Sequence, residues 1–180
     1  SHHGLAHCVV PRALAGADVL VDVLSTTTLS ATGSVAFFEA STRRLLAAEE
    51  RAGVRHHVAL SIVGIDGIDA SYYAGKLAQE RLVAAAPIPH TVVRAAQFHE
   101  FAGQMLQRMR GPVVYMPPTP MRPVAPREGG AHLLRVAGAG PVGRAPGLLG
   151  PPAPALGGRL RRPHAFHRSP PTVSGAPLPG

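Results

Sequence analysis

The chain has 180 residues, a net charge of +8 and a single cysteine, with hydrophobic residues at 46% but aromatic ones at only 4%. That length holds one domain with a sizeable core, built mainly from Val, Leu, Ile and Ala. Lone Cys8 excludes an internal disulfide and a cysteine-based zinc cage and suits a reducing, cytoplasmic setting, and no apolar run approaches the roughly 18 residues needed to span a bilayer.

The charge is unevenly spread. Residues 129–180 carry six arginines and no acid, whereas residues 1–128 are nearly balanced. No aromatic residues alternate with the tail arginines and no recognition-helix pattern carries them, so no nucleic-acid partner is expected. A basic protein acting through this tail would instead show salt-dependent duplex binding that is lost on deleting residues 129–180.

In chain order, Asp18–Leu24 reads as a buried strand ended by Ser25 and three threonines. A helix is expected from about Val35 to Gly53, with Phe38, Leu45, Ala48 and Ala52 inward and Arg43, Arg44, Glu49 and Glu50 mostly elsewhere. Arg55–Ile62 is a second strand, on which adjacent His56 and His57 point to opposite faces and cannot easily share a metal ion. The loop Gly64–Asp69 suits an active-site rim better than a calcium loop, which needs more carboxylates. A helix over Ser71–Ala86 is expected to bury Ala74, Leu77, Ala78, Leu82 and Ala85, closed by Pro87. His90–Arg94 is a third strand, and Gln97 to about Arg108 a further helix. Arg94 and Glu100 flank that strand's exit, where an ion pair is as plausible as substrate contact. No metal is expected: the other histidine pair, His164 and His167, lacks a scaffold and carboxylate partners.

Strands alternating with helices predict an α/β fold: a parallel Rossmann-type sheet covered on both faces, binding ligands at the carboxyl ends of its strands. Those ends carry Ser25, Ser61 and Ala95-Ala96-Gln97. Residues 129–180, with 11 glycines and 10 prolines, are expected to be a disordered Pro/Gly/Arg-rich tail unable to hold a long helix.

The sharpest chemical signal is Tyr72-Tyr73-Ala74-Gly75-Lys76, a Tyr-x-x-x-Lys at a helix start, in which Lys76 is the chain's single lysine. A spacing of four puts phenol and ammonium on one helical face, so that Lys76 is expected to lower the Tyr72 pKa and fit it for proton transfer to a carbonyl. Ser61 is placed to hydrogen-bond the same oxygen. Tyr73, three residues from Lys76, is the rival phenol.

With Ala52–Gly64, Tyr72–Glu80 and His90–Phe101, these residues resemble consecutive segments of the atypical short-chain dehydrogenase/reductases, the NmrA-like or NAD(P)-binding branch. Leu14–Val23 is similar to that family's fourth strand. The resemblance covers about residues 4–125 and implies NAD(P)H as cofactor and an unidentified small-molecule substrate. Ser61, Tyr72 and Lys76 would be catalytic. Leu24, Ser25, Thr26, Lys76, Ala95, Ala96, Gln97 and Phe98 would border the cofactor. A non-catalytic, nucleotide-sensing regulator is the alternative.

Two departures shape the expectation. The family's opening strand, glycine-rich turn and helix have no counterpart before Asp18, so residues 1–125 are expected to be a partial, N-terminally truncated domain. After Pro123-Val124-Ala125 the apolar periodicity lapses into Gly, Ala, Pro, Arg and Leu, as a frameshift in GC-rich DNA would give. Residues 126–180 are therefore expected to be tail, and the chain as it stands to be inactive.

Overall fold

The computed structural model describes residues 12–28, 30–98, 113–151 and 153–161, with 113–121 and 153–161 described by their backbone alone. Four parallel strands form one sheet: β1 (Val19–Asp22), β2 (His56–Ile62), β3 (His90–Ala95) and the two-residue β5 (Gly143–Arg144), in the order β1-β2-β3-β5. Between them run helices α1 (Ala31–Ala52), α2 (Ser71–Ala85) and α3 (Pro126–Ala139). Strands β4 (Val113–Met121) and β6 (Ala153–Arg161) pair separately as an antiparallel ribbon. The α/β fold with a parallel sheet and flanking helices is thus as the sequence predicts.

Side-chain alternation on the strands assigns the faces. Val58 and Val93 pack with Leu133 of α3 and with Ala145, while their neighbours Ala59 and Val92 pack with Val83 of α2. The sheet is therefore covered on both sides, by α3 on one face and by α2 on the other. His56 and His57 do point to opposite faces: His57 meets Glu49 of α1, and His56 bonds Thr91.

Local signals place the helix ends. Ser30 caps α1 by accepting from the Gly33 amide, and Gly53 ends it in the left-handed region at φ 72°, a conformation open to glycine at little cost. Ala86 is extended ahead of Pro87, which stops α2. At Gly75 the two helices touch: a Cβ there would lie 2.1 Å from Ser34 Oγ and 2.7 Å from the Ser34 carbonyl. The small residue inside the Tyr-x-x-x-Lys motif thus sets how closely α2 lies on α1.

Several expectations need correction. Residues 126–151 are not tail. Pro126 opens α3 at a position where its missing N–H costs nothing, and Glu128 sits in the first turn. Gly129, Leu133, Val136 and Ala137 recur at helical spacing, and Leu133, Val136 and Ala137 join the Val58–Val93 core. The average proline content of 52 residues concealed this stripe, because all ten of those prolines lie beyond the helix. Residues 162–180 lie outside the described residues, as does the helix expected over 99–108; Gln97 and Phe98 are not helical. On α1, Glu49 is fully buried rather than outward. On α2, Val83 is buried while Ala85 is exposed.

Candidate active site at the carboxyl edge of the sheet

Parallel strands bring their carboxyl ends to one edge, which gathers most of the residues that the sequence singles out. Leu24, Ser25 and Thr26 follow β1, Ser61 stands one residue from the end of β2, and Ala95 to Phe98 follow β3. Helix α2 begins at the same edge and brings Tyr72 and Lys76. The Tyr72 hydroxyl lies 3.2 Å from Ser25 Oγ, and its ring stacks edge-on against Phe38. The Tyr72 carbonyl accepts from Ser34 Oγ, tying the motif to α1.

The structure joins these residues differently from the expectation. Tyr72 pairs with Ser25; Ser61 Oγ is buried and has no hydrogen-bond partner. Lys76 is 3% exposed, and its Nζ donates to Gln79 Oε1 at 2.6 Å and to the Leu24 carbonyl at 3.5 Å, beneath the Phe38 ring at 4.6 Å. Gln79 Nε2 in turn donates to Asp22 Oδ2 at 2.7 Å. Burial lowers the Lys76 pKa to about 8, against the pull of Asp22 and Glu80. The Tyr72 pKa is raised, not lowered: burial and the Asp22 charge outweigh the Ser25 hydrogen bond. The Lys76 ammonium, engaged by Gln79, Leu24 and Phe38, is not among the groups that shift it.

Asp22 and Gln79 are the residues that sequence reasoning missed. An aspartate inside an apolar strand and a glutamine three residues after the motif lysine were the available signals.

The Ala95–Phe98 loop is already engaged. Ala95 and Ala96 are buried, the Ala96 amide donates to the Leu148 carbonyl, and the Gln97 carbonyl accepts from Val124. Arg94 is structural: it donates to Glu80 at 2.7 Å and to Asp66 at 2.9 Å, bonds that raise its own pKa and lower that of Asp66. Glu100 lies outside the described residues. Among the described residues no group of three His, Cys, Asp or Glu could hold a metal ion, and no helix is long and apolar enough to cross a membrane.

His56 carries a pH prediction. Burial lowers its pKa from 6.5, so below that value the unfolded chain binds a proton that the folded chain resists. Stability should fall as the pH drops through about 6.5 and beyond. Urea midpoints measured between pH 5 and 8 check this, and His56→Gln should flatten the fall.

The architecture is that of a Rossmann-like α/β protein, a parallel sheet with its candidate site at the carboxyl edge. Among solved structures, the chain is similar to the NADPH-dependent quinone oxidoreductase of Escherichia coli complexed with NADPH (TM-score 0.65, 21% identity, covering 83% of this chain and 52% of that one). It is also similar to a double mutant of the dTDP-glucose 4,6-dehydratase of Streptomyces venezuelae with NAD and DAU bound (TM-score 0.62, 18% identity, covering 86% and 57%). A third is the triphenylmethane reductase of Citrobacter sp. complexed with NADP(H) (TM-score 0.61, 17% identity, covering 81% and 52%). The fold is therefore shared with NAD(P)-dependent dehydratases and reductases, and the chain spans little more than half the length of these structures. No family description matches the sequence, and a search of curated proteins finds no match.

Proposed function

We propose that the chain is part of an NAD(P)-dependent oxidoreductase of the short-chain dehydrogenase/reductase type. The observation that carries this reading is the Tyr72 phenol beside Ser25 Oγ, with Lys76 a turn further along α2, at the carboxyl edge of a parallel sheet.

The residues present suit the nicotinamide end of such a cofactor. The buried, unpartnered Ser61 Oγ is a polar group awaiting a partner at the strand ends, and Ser25 and Thr26 border the same edge. Bound there, a nicotinamide supplies hydride chemistry. Tyr72, whose raised pKa keeps it a neutral phenol at physiological pH, donates a proton to a carbonyl oxygen. Ser25 orients that hydroxyl, and Ser61 can donate to the same oxygen. Lys76 holds positive charge beside the Leu24 carbonyl and, by the resemblance, also borders the cofactor. Leu24, Ala95, Ala96, Gln97 and Phe98 would line it, chiefly through shape, because much of their backbone is already paired.

Among the described residues no unit of strand, glycine-rich turn and helix precedes β1, the device that holds a pyrophosphate in this fold. The outer edge of β1, beside a shallow depression of about 340 Å³ lined by Leu20 to Ser25 and Leu45, is where such a strand–turn–helix unit would pair. This chain alone is therefore expected to bind NADPH or NADH more weakly than micromolar, and to bind once joined to that unit. Calorimetric titration of both versions tests the reading. Micromolar binding by the chain alone would place the pyrophosphate elsewhere, and absence of binding by the joined version would sink the proposal.

Two observations favour a second reading, a non-catalytic nucleotide-sensing regulator: the Tyr72 pKa is raised, and the Lys76 ammonium is held by Gln79 and Leu24. Turnover of carbonyl substrates by the version that binds NADPH separates the two.

A further inference from the structure

We propose that Asp22 and Gln79 are positioning residues, a carboxylate–amide relay that fixes the Lys76 ammonium at the carboxyl end of β1. The proposal rests on the oxidoreductase reading for its purpose but not for its geometry.

The relay has one consistent polarity. A carboxylate only accepts hydrogen bonds and an ammonium only donates them. Gln79, between the two, must turn its NH2 toward Asp22 Oδ2 at 2.7 Å and its Oε1 toward Lys76 Nζ at 2.6 Å. A flipped amide would set donor against donor at one end and acceptor against acceptor at the other. Asp22 is itself fixed, because its Oδ1 accepts from the Leu24 amide at 2.9 Å, and the Leu24 carbonyl is the second acceptor for Lys76. One turn of backbone after β1 thus anchors both ends of the chain Asp22–Gln79–Lys76.

All three residues are nearly closed to water: Asp22 is 2% exposed, Gln79 1% and Lys76 3%. An isolated charge so buried is costly, so the carboxylate and ammonium offset one another across the amide. The neighbouring element supplies no competing charge: α1 faces Lys76 with the Phe38 ring, and Ser34 bonds the Tyr72 carbonyl. On α2 itself, Glu80 is the other acid that favours the charged lysine. Removing the Asp22 carboxylate leaves the amide free to rotate and the ammonium without one of the two carboxylates that favour its charged form. Both changes let Nζ neutralise or move.

Because Lys76 is the single lysine, [13Cε]lysine labelling of the whole chain gives one lysine resonance, followed against pH without cofactor or turnover. The midpoint is expected near about 8 in the unaltered chain. Asp22→Asn, which keeps shape and removes charge, should move it down by about one unit or more. Gln79→Met, which removes the bridging amide, should also move it down. Asp22→Asn combined with Gln79→Glu, which relocates the carboxylate, should bring it back up. A purely structural network would cost stability in each variant yet leave the midpoint in place. An unmoved midpoint in a folded Asp22→Asn chain overturns the proposal. Should that variant not fold, an unmoved midpoint in Gln79→Met does so. The two readings fail separately. If the midpoints move but the NADPH-binding version never turns over, the relay stands and the oxidoreductase reading falls; if turnover is found with unmoved midpoints, the reverse holds.

Discussion

Tyr72→Phe is expected to lower carbonyl-reduction turnover by about 10²–10⁴-fold, measured on whichever length of the protein binds NADPH in calorimetry. The phenyl ring keeps the edge contact with Phe38 and removes only the hydroxyl beside Ser25. Cofactor affinity should therefore change little while kcat falls, the pattern of a group that acts in the transition state. Ser25→Ala should give a smaller loss, because the phenol remains but is no longer oriented. Tyr73→Phe serves as the control. A loss at Tyr73 with Tyr72 tolerated would transfer the role to the other phenol, and turnover unaffected by either would remove both phenols from the proton transfer.

Glu49→Ala is expected to destabilise the fold by about 3–5 kcal/mol, because it breaks a fully buried pair and leaves its partner uncompensated. Glu49 and His57 are each 0% exposed, and both carboxylate oxygens lie 2.9 Å from His57 Nδ1. His57 Nε2 already lacks a partner, so without Glu49 neither ring nitrogen would have one. Replacing both residues by apolar ones of similar volume should cost far less than either single change, since no orphaned polar group then remains. Urea denaturation of the two single variants and the double variant measures this. Equal losses in all three would show that the cavity, not the stranded polar group, sets the cost. The pair links α1 to β2, and Glu49 lies about three helical turns along α1 from Phe38, the residue that meets Tyr72, so the lesion should appear as stability rather than as a change in cofactor affinity.

The sequence by itself determined the strand–helix alternation, because apolar periodicity over β1 to β3 and the stops at Gly53 and Pro87 are local signals. It also determined the membership of the carboxyl edge. Once strands are parallel, Ser25, Ser61 and the residues after β3 must end on one side, and a spacing of four puts Tyr72 and Lys76 on one face of α2. What neighbours those side chains meet was not legible. Whether a lysine faces a phenol or an amide depends on which helix lies over it, and that is fixed by the close approach of α1 at Gly75. Tertiary packing alone therefore assigned Lys76 to Gln79 and Asp22, gave Tyr72 to Ser25, and turned Glu49 inward to His57. It also rescued α3 from a proline- and glycine-rich context, since Leu133, Val136 and Ala137 gain a core only when Val58 and Val93 are there to receive them. Long-range burial of a few apolar side chains outweighs local propensity of about 1 kcal/mol per glycine, and that comparison exists only in the folded molecule.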